Sequence, residues 1–159
     1  MASRFRRRMV MLLLTAYALF VALITLSPHM PGASVTRKLA HWLVRKANER
    51  GVDWVDFLTI EFLGNILMFI PLGFFAGLLV SRKAWWTLLF MGTAFSGFIE
   101  FYQATFLSER VPEVRDLISN TTGFLIGATV AITLRFIVSH RDSLVEQDRR
   151  AAELARQRV

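Results

Sequence analysis

The chain has 159 residues, of which 54% are hydrophobic and 19% charged, with a formal net charge of +7 and no cysteine. Its apolar residues are concentrated in blocks of about 20, the helix length that crosses a hydrocarbon core of ~30 Å. The basic residues lie between these blocks and not on one face of a water-soluble module, which argues against nucleic acid as a partner, and the lack of cysteine excludes disulfides and thiolate chemistry.

The first predicted element follows a basic arm, residues 1–8, and is an apolar run over residues 9–27. Signal peptides and first transmembrane helices share this layout. The run is longer than a signal-peptide core, and no clear small-x-small cleavage site follows it. We therefore predict a first transmembrane helix that is retained.

The first loop, residues 33–59, predicts an amphipathic helix, because Leu39, Trp42, Leu43 and Ala47 recur at helical spacing among basic residues. Such a helix lies in the membrane interface or packs on the protein itself. Both alternatives stay open, and the fold predicted below includes the helix as an interfacial one.

Three more apolar runs follow, and they predict the second, third and fourth transmembrane helices over residues 60–80, 84–107 and 118–139. A sharp basic turn separates the second from the third, so these two should form an antiparallel hairpin. The predicted fold class is therefore all-α: a polytopic membrane protein with four transmembrane helices and an interfacial amphipathic helix in the first outer loop. The membrane domain covers residues 9–140, and residues 141–159 form a charged, solvated helical tail.

The orientation follows from the Lys and Arg residues, which are retained on the cytoplasmic side of membranes. In the four-helix topology 12 of them lie on the side of the two termini and 7 on the other. Both termini should therefore be cytoplasmic. Five of the seven outer basic residues lie in the first loop, so the inverted orientation stays open as an alternative.

In this topology the polar residues of the last three transmembrane helices gather at their outer ends. Residues one or two helical turns apart share a face of each helix. The residues concerned are Glu61 and Asn65 on the second, Ser96, Glu100 and Gln103 on the third, Arg110 and Arg115 in the outer loop, and Asp116, Asn120 and Gly123 leading into the fourth.

The most informative of these residues is Glu100, because a carboxylate in hydrocarbon costs at least about 2.5 kcal/mol. Arg110 or Arg115 could compensate its charge, with hydrogen bonds from Asn65, Gln103 and Asn120; otherwise it should be protonated. Such a group indicates a functional site. The alternative is a polar clamp that only fixes helix packing.

Other residues indicate packing more than chemistry. Pro71 should kink the second transmembrane helix, with Gly73 easing the local backbone. Gly73 with Gly77, and Gly123 with Gly127, are small-x-x-x-small pairs that permit close helix contact. The three histidines lie in separate segments, so neither a metal site nor any cofactor is expected.

An ordered string across three helices resembles the VanZ-like family of bacterial membrane proteins. The string is Asn65-x-x-x-Phe69-x-Pro71-x-Gly73, then Glu100-x-x-Gln103, Arg110 and Asp116-x-x-x-Asn120-x-x-Gly123. The resemblance covers about residues 60 to 130 and implies a multi-spanning protein of the bacterial cytoplasmic membrane. The family takes its name from a protein associated with teicoplanin resistance, so a resistance role here is a hypothesis by analogy.

Three functions fit the residues. The first is binding of an envelope lipid or lipid-linked cell-wall component, with Arg110 and Arg115 contacting anionic groups and the other polar residues orienting the headgroup. The second is an enzyme acting on a lipid phosphate or glycan headgroup, with Glu100 or Asp116 as general acid or base. The third is a structural or accessory subunit that packs against a protein partner.

Overall fold

The computed structural model describes residues 2–27, 33–107 and 113–157, and throughout these ranges it contains helices and no strand. The all-α prediction is therefore confirmed for the described residues. The helices are α1 (Ala2–Thr25), α2 (Ala33–Asn48), α3 (Phe57–Leu79), α4 (Thr87–Phe106) and α5 (Val114–Gln157), with a single 3₁₀ turn (Arg82–Ala84) between α3 and α4.

Within the described residues, three helical segments are long and apolar enough to cross a membrane: Arg4–Thr25, Phe57–Leu79 and Val114–Leu154. They belong to α1, α3 and α5. Helix α4 has 20 residues, about 30 Å of helix, so its length suffices. Polar residues such as Glu100 and Gln103 lower its mean hydropathy, and the count of four membrane-spanning helices stays a prediction.

Helix α3 lies at the centre of the bundle and packs along α5 and against α1, while α4 packs mainly on α5. Ile66 and Ile70 of α3 lie against Gly123 and Gly127 of α5, so residue numbers rise together and the two helices are parallel. Between α4 and α5 the order is reversed. Gly92 lies against Phe124, whereas Ser96, further along α4, bonds Asn120, which comes earlier in α5. These two helices are antiparallel.

The parallel pair α3 and α5 approach so closely that only glycine fits at their crossing. A Cβ atom on Gly73 would overlap the backbone carbonyl of Phe124, and one on Gly123 would overlap that of Ile66. Small residues allow this approach in membrane helices, where close packing replaces the hydrophobic effect as the source of association. The remaining core consists of buried side chains from four helices, among them Val21, Phe69, Leu72, Leu88, Ile99 and Phe124.

Helix α2 is present in the predicted first loop and packs on α3. Its least exposed residues include Ala40, Leu43 and Ala47, which recur every three or four positions. Leu39 and Trp42, which were predicted to share a stripe with Leu43 and Ala47, are 54% and 47% exposed. One apolar face therefore packs on the protein, whereas the location of α2 in a membrane interface stays a prediction.

The predicted boundaries at residues 8 and 140 are not breaks in secondary structure. Helix α1 begins at Ala2, inside the basic arm, and α5 continues for 44 residues from the bundle through the charged tail. The tail carries exposed pairs such as Arg150 with Glu146 at 3.0 Å. Helix α3 likewise runs through Pro71 without ending, and the kink expected there stays a prediction.

Candidate functional site

The amino ends of α3 and α5 meet the carboxyl ends of α1 and α4, and we call this the polar end of the bundle. Its first link joins α3 to α5, where Asn65 Nδ2 donates to Asp116 Oδ1 at 2.9 Å. Both side chains are half-buried. Asp116 lies in the first turn of α5, where the helix dipole favours a negative charge.

Glu100 of α4 lies at the same end and is half-buried. Its Oε2 accepts a hydrogen bond from the backbone N–H of Glu113, at 3.2 Å. Glu113 directly precedes α5, so the carboxylate of Glu100 faces the positive end of that helix dipole. The structure therefore places this carboxylate at the rim of the bundle, where a helix amino terminus stabilises its charge.

Arg115, one of the two arginines expected to compensate the charge of Glu100, lies over the ring of Phe62, with its Cζ atom 5.5 Å from the ring centre. This is cation–π geometry. Hydrogen bonds from Thr59 lower the pKa of Asp56, the residue that caps α3, and the positive charge of Arg115 adds a smaller effect in the same direction. Arg110, the other arginine of the predicted site, lies outside the described residues.

Two amide hydrogen bonds between helices are buried at the polar end, and we call them the buried layer. Gln103 Nε2 donates to the backbone oxygen of Thr25 at 2.9 Å and so joins α4 to α1. Asn120 Nδ2 donates to Ser96 Oγ at 3.2 Å and joins α5 to α4. The amides expected to donate to Glu100 thus bind other acceptors, and these two hold helices together.

Not every buried polar atom at this level has a hydrogen-bond partner among the described residues. Asn120 is only 3% exposed, and its Oδ1 atom, like Thr121 Oγ1, has no hydrogen-bond partner among the described residues. A buried polar oxygen without a partner costs about 1–3 kcal/mol. A hydroxyl, amine or water reaching this layer from the rim would remove that cost.

The polar end gathers six residues of the predicted site from three helices, namely Asn65, Glu100, Gln103, Arg115, Asp116 and Asn120. Glu61 is exposed, whereas Gly73 and Gly123 are buried at the crossing of α3 and α5. Among the described residues no group of three His, Cys, Asp or Glu side chains could hold a metal ion.

Sequence reasoning missed the role of Arg135, which it counted only as a cytoplasmic positive charge. Arg135 Nη1 donates to the backbone oxygen of Gly77, at 2.8 Å, and to that of Val80. These are terminal carbonyls of α3, which lack partners within the helix. The available signal was an arginine inside an apolar run, between Leu134 and Phe136.

Arg135 also lines a cavity of about 180 Å³ at the end of the bundle opposite the polar end. Along α5, 19 residues separate Asp116 from Arg135, which is about 28 Å of helix. This length is close to the ~30 Å thickness of a hydrocarbon core. The polar end and Arg135 therefore mark two levels that are one membrane thickness apart.

These features define a helical membrane protein with apolar spanning helices, a glycine-mediated helix crossing and a polar cluster at one end. The model of the family described as VanZ/LLP1 matches residues 9–136, which is more than half of the chain. The chain therefore belongs to the VanZ/LLP1 family, as the sequence resemblance predicted. No curated protein and no solved structure matches it.

Proposed function

We propose that this protein crosses the bacterial cytoplasmic membrane four times, with both termini in the cytoplasm and the polar end in the outer leaflet. There it binds the headgroup of an envelope lipid or of a lipid-linked cell-wall component. The observation that carries this proposal is the half-buried pair Asn65–Asp116 beside Glu100, above the unsatisfied amide oxygen of Asn120.

The parallel arrangement of α3 and α5 supports four membrane crossings. If both helices cross the membrane in the same direction, the chain must cross back between them. In the described part of the chain between Leu79 and Val114, α4 is the one helix of membrane-spanning length. Its most polar buried side chains, Ser96 and Gln103, face other helices, so its lower hydropathy does not expose them to lipid.

The chemistry of the polar end favours a headgroup rich in hydroxyl, amide or amine groups. Carboxylates accept hydrogen bonds from such groups, and the Asn65 amide both donates and accepts. Arg115 provides a positive charge for a phosphate or carboxylate on the same headgroup. Exposed aromatic residues on α4, including Phe101 and Phe106, offer an adjacent apolar surface for a lipid chain.

A protein that binds such a headgroup would alter how glycopeptide antibiotics reach their lipid-anchored target. This part of the proposal follows from the family alone, which takes its name from a protein associated with teicoplanin resistance. It extends to this chain by analogy.

The test compares the unsubstituted protein with Glu100→Ala and Asp116→Ala in a teicoplanin-susceptible bacterium and in nanodiscs that contain a lipid-linked peptidoglycan precursor. Thr93→Ala is the matched control, because Thr93 is exposed on α4 away from the polar end and its hydroxyl bonds its own helix, at the backbone oxygen of Leu89. We expect both site variants, at normal membrane abundance, to lose precursor binding and to restore susceptibility. Unchanged binding and unchanged susceptibility in both would overturn the proposal.

A structural role is the second candidate, and the buried bonds of Gln103 and Asn120 favour it for those two residues. It predicts that Gln103→Ala and Asn120→Ala lower the amount of folded protein, while rim variants have no effect on any function. Release of a product from the precursor in the nanodisc assay would instead favour an enzyme acting on the headgroup.

A further inference from the structure

Among the side chains that the structure describes, the cavity at the end opposite the polar end is lined by an apolar wall and by one charged group, Arg135. It lies between the last turn of α3, the chain that leads into α4, and the middle of α5. Its wall includes Val80, Trp85, Leu88, Ile132 and Phe136, with Arg135 beside them. A volume of about 180 Å³ exceeds that of a few water molecules, at ~30 Å³ each, and admits part of an acyl chain.

Arg135 is held in place at this cavity by its bonds to the backbone oxygens of Gly77 and Val80. The C-terminal end of a helix carries partial negative charge, which the guanidinium offsets. The cavity therefore has a fixed positive group where a bare helix end would repel an anion. Lys83 is exposed in the turn between Ser81 and Trp85, which both line the cavity, so this turn carries a further positive charge.

The level of the cavity matches the headgroup region of the leaflet opposite the polar end, because Arg135 lies about 28 Å along α5 from Asp116. Trp85 is 62% exposed, and the neighbouring Trp86 is also exposed. Tryptophan favours the membrane–water interface. Basic pockets between membrane helices on the cytoplasmic side bind anionic lipid headgroups.

We propose that this cavity is a binding site for one anionic phospholipid of the leaflet opposite the polar end, which is the cytoplasmic leaflet in the orientation proposed above. The phosphate lies at Arg135 and Lys83, and the first part of an acyl chain lies against Trp85 and Leu88. Charge complementarity selects the occupant, since a zwitterionic lipid offers the same apolar chain without the net negative charge. The site is separate from the polar end, so it can fail while the proposed headgroup function stands.

The test uses Trp85 as the reporter, in a protein whose other three tryptophans, Trp42, Trp54 and Trp86, are replaced by Phe. The protein is reconstituted in phosphatidylcholine vesicles that contain equal fractions of either brominated phosphatidylglycerol or brominated phosphatidylcholine, and quenching of Trp85 is measured. We expect phosphatidylglycerol to be preferred about fivefold, the ratio that corresponds to ~1 kcal/mol for a basic residue near anionic lipid. Equal quenching by the two lipids would mean ordinary annular contact and would overturn the proposal.

Three variants of the reporter protein separate lipid binding from helix capping. Arg135→Gln should remove most of the preference, whereas Arg135→Lys, which keeps the charge, should retain most of it. Arg141→Gln is the control on the same helix, since Arg141 is exposed and paired with Asp142, and it should change nothing. A preference unchanged by Arg135→Gln, or one that Arg135→Lys loses to the same extent at native helix content, would show that Arg135 serves only as a helix cap.

If the Arg135→Gln variant does not insert into the membrane, Lys83→Gln provides a second test of the proposal. Lys83 is exposed and does not pack in the core of the bundle, so this substitution should not prevent insertion. We expect this variant to retain native helix content and to lower the preference for phosphatidylglycerol about twofold or more. If brominated phosphatidylglycerol quenches Trp85 equally in this variant and in the unsubstituted reporter protein, the proposal is contradicted.

Discussion

Asn65 and Asp116 are 51 residues apart in the chain, yet their side chains form a hydrogen bond of 2.9 Å between α3 and α5. The same two helices meet eight residues further along α3 at Gly73, against the backbone of Phe124. The glycine contact brings the helix axes close, and this proximity allows two short side chains to bond directly. The polar end therefore depends on the packing beneath it.

The Asn65–Asp116 bond should contribute measurable coupling energy. In a double-mutant cycle with Asn65→Ala and Asp116→Ala, we expect about 1 kcal/mol of coupling, since side-chain bonds between membrane helices measure ~0.6 and at most ~1.7 kcal/mol. Unfolding in mixed detergent micelles gives the four free energies. The control cycle pairs Asn65→Ala with Ser143→Ala in the distant tail and should be additive; coupling of zero in the first cycle would contradict a bond between the two residues.

Two glycines of α3 should respond oppositely to alanine. Gly73→Ala should destabilise the protein by about 1–3 kcal/mol, because its Cβ would overlap the backbone of Phe124 and force the helices apart. Gly64→Ala meets no atom within 4 Å and should be neutral or stabilising by up to ~1 kcal/mol through higher helix propensity. The unfolding midpoint of each variant tests this difference. Equal changes in stability for the two variants would show that α3 and α5 do not approach as closely at Gly73 as the structure indicates.

Gln103 should fix α1 to the rest of the bundle. Gln103→Leu keeps the volume and removes the bond to the Thr25 backbone, so we expect a loss of about 1 kcal/mol and faster proteolysis near the end of α1. Gln147→Leu, on the exposed tail, is the control and should leave both measurements unchanged. Proteolysis that stays at the rate of the unsubstituted protein would argue against this attachment.

Asp56 should make the start of α3 sensitive to acid. Hydrogen bonds from Thr59, and to a lesser degree the charge of Arg115, lower the pKa of Asp56 below its ordinary value of 3.8. Its stabilising effect is therefore complete above pH 3.8 and is lost as the pH falls through the lowered pKa. Unfolding of the protein and of Asp56→Ala should differ at neutral pH and converge in strong acid. Asp56→Ser, which keeps a capping oxygen without the charge, should stay near the unsubstituted protein at neutral pH.

The lack of native cysteine makes the topology directly testable. Single replacements Asp53→Cys, Ser81→Cys, Glu113→Cys and Ser143→Cys place a thiol in each loop and in the tail. A membrane-impermeant maleimide should label intact cells at positions 53 and 113, and should label 81 and 143 only after permeabilisation. Labelling of 81 and 113 from the same side would exclude a crossing by α4, whereas a full reversal would keep four crossings and invert the orientation.

The sequence predicted much of the fold because hydrophobic blocks and their polar interruptions are local signals. The blocks around residues 9–27, 60–80 and 118–139 correspond to α1, α3 and α5, with no block extending more than two residues beyond its helix, and α3 ends at Leu79, just before the predicted basic turn. A helical tail was predicted, and it is helical as far as Gln157. Its unbroken continuity with the bundle helix was not predicted, since the change from apolar to charged composition indicated a boundary, although such a change does not by itself end a helix. The face of α2 that packs on the protein was also not predicted exactly, because the apolar residues of α2 are spread widely enough to suit more than one face.

The candidate site was predictable in its location and less so in its bonds. Helical spacing indicated that Glu100, Gln103, Asp116 and Asn120 lie at one end, because residues on one helix have fixed relative depths. Partners on other helices depend on helix rotation and axial position, which spacing does not provide. For this reason the hydrogen bond that the Glu100 carboxylate accepts from the backbone N–H of Glu113 was not predicted. The contact of Glu100 with Arg110 stays a prediction, because Arg110 lies outside the described residues.

The amino-acid sequence alone determined that this is a helical membrane protein of the VanZ/LLP1 family with polar residues concentrated at one end, since hydrophobicity, helical period and motif order are properties of the chain itself. Only the tertiary structure decided that α3 and α5 cross at Gly73 and Gly123, that Gln103 bonds α1, and that Arg135 closes the end of α3 beside a cavity. Those contacts depend on the distance and rotation between helices, which are set by packing of all the side chains together and not by any one segment.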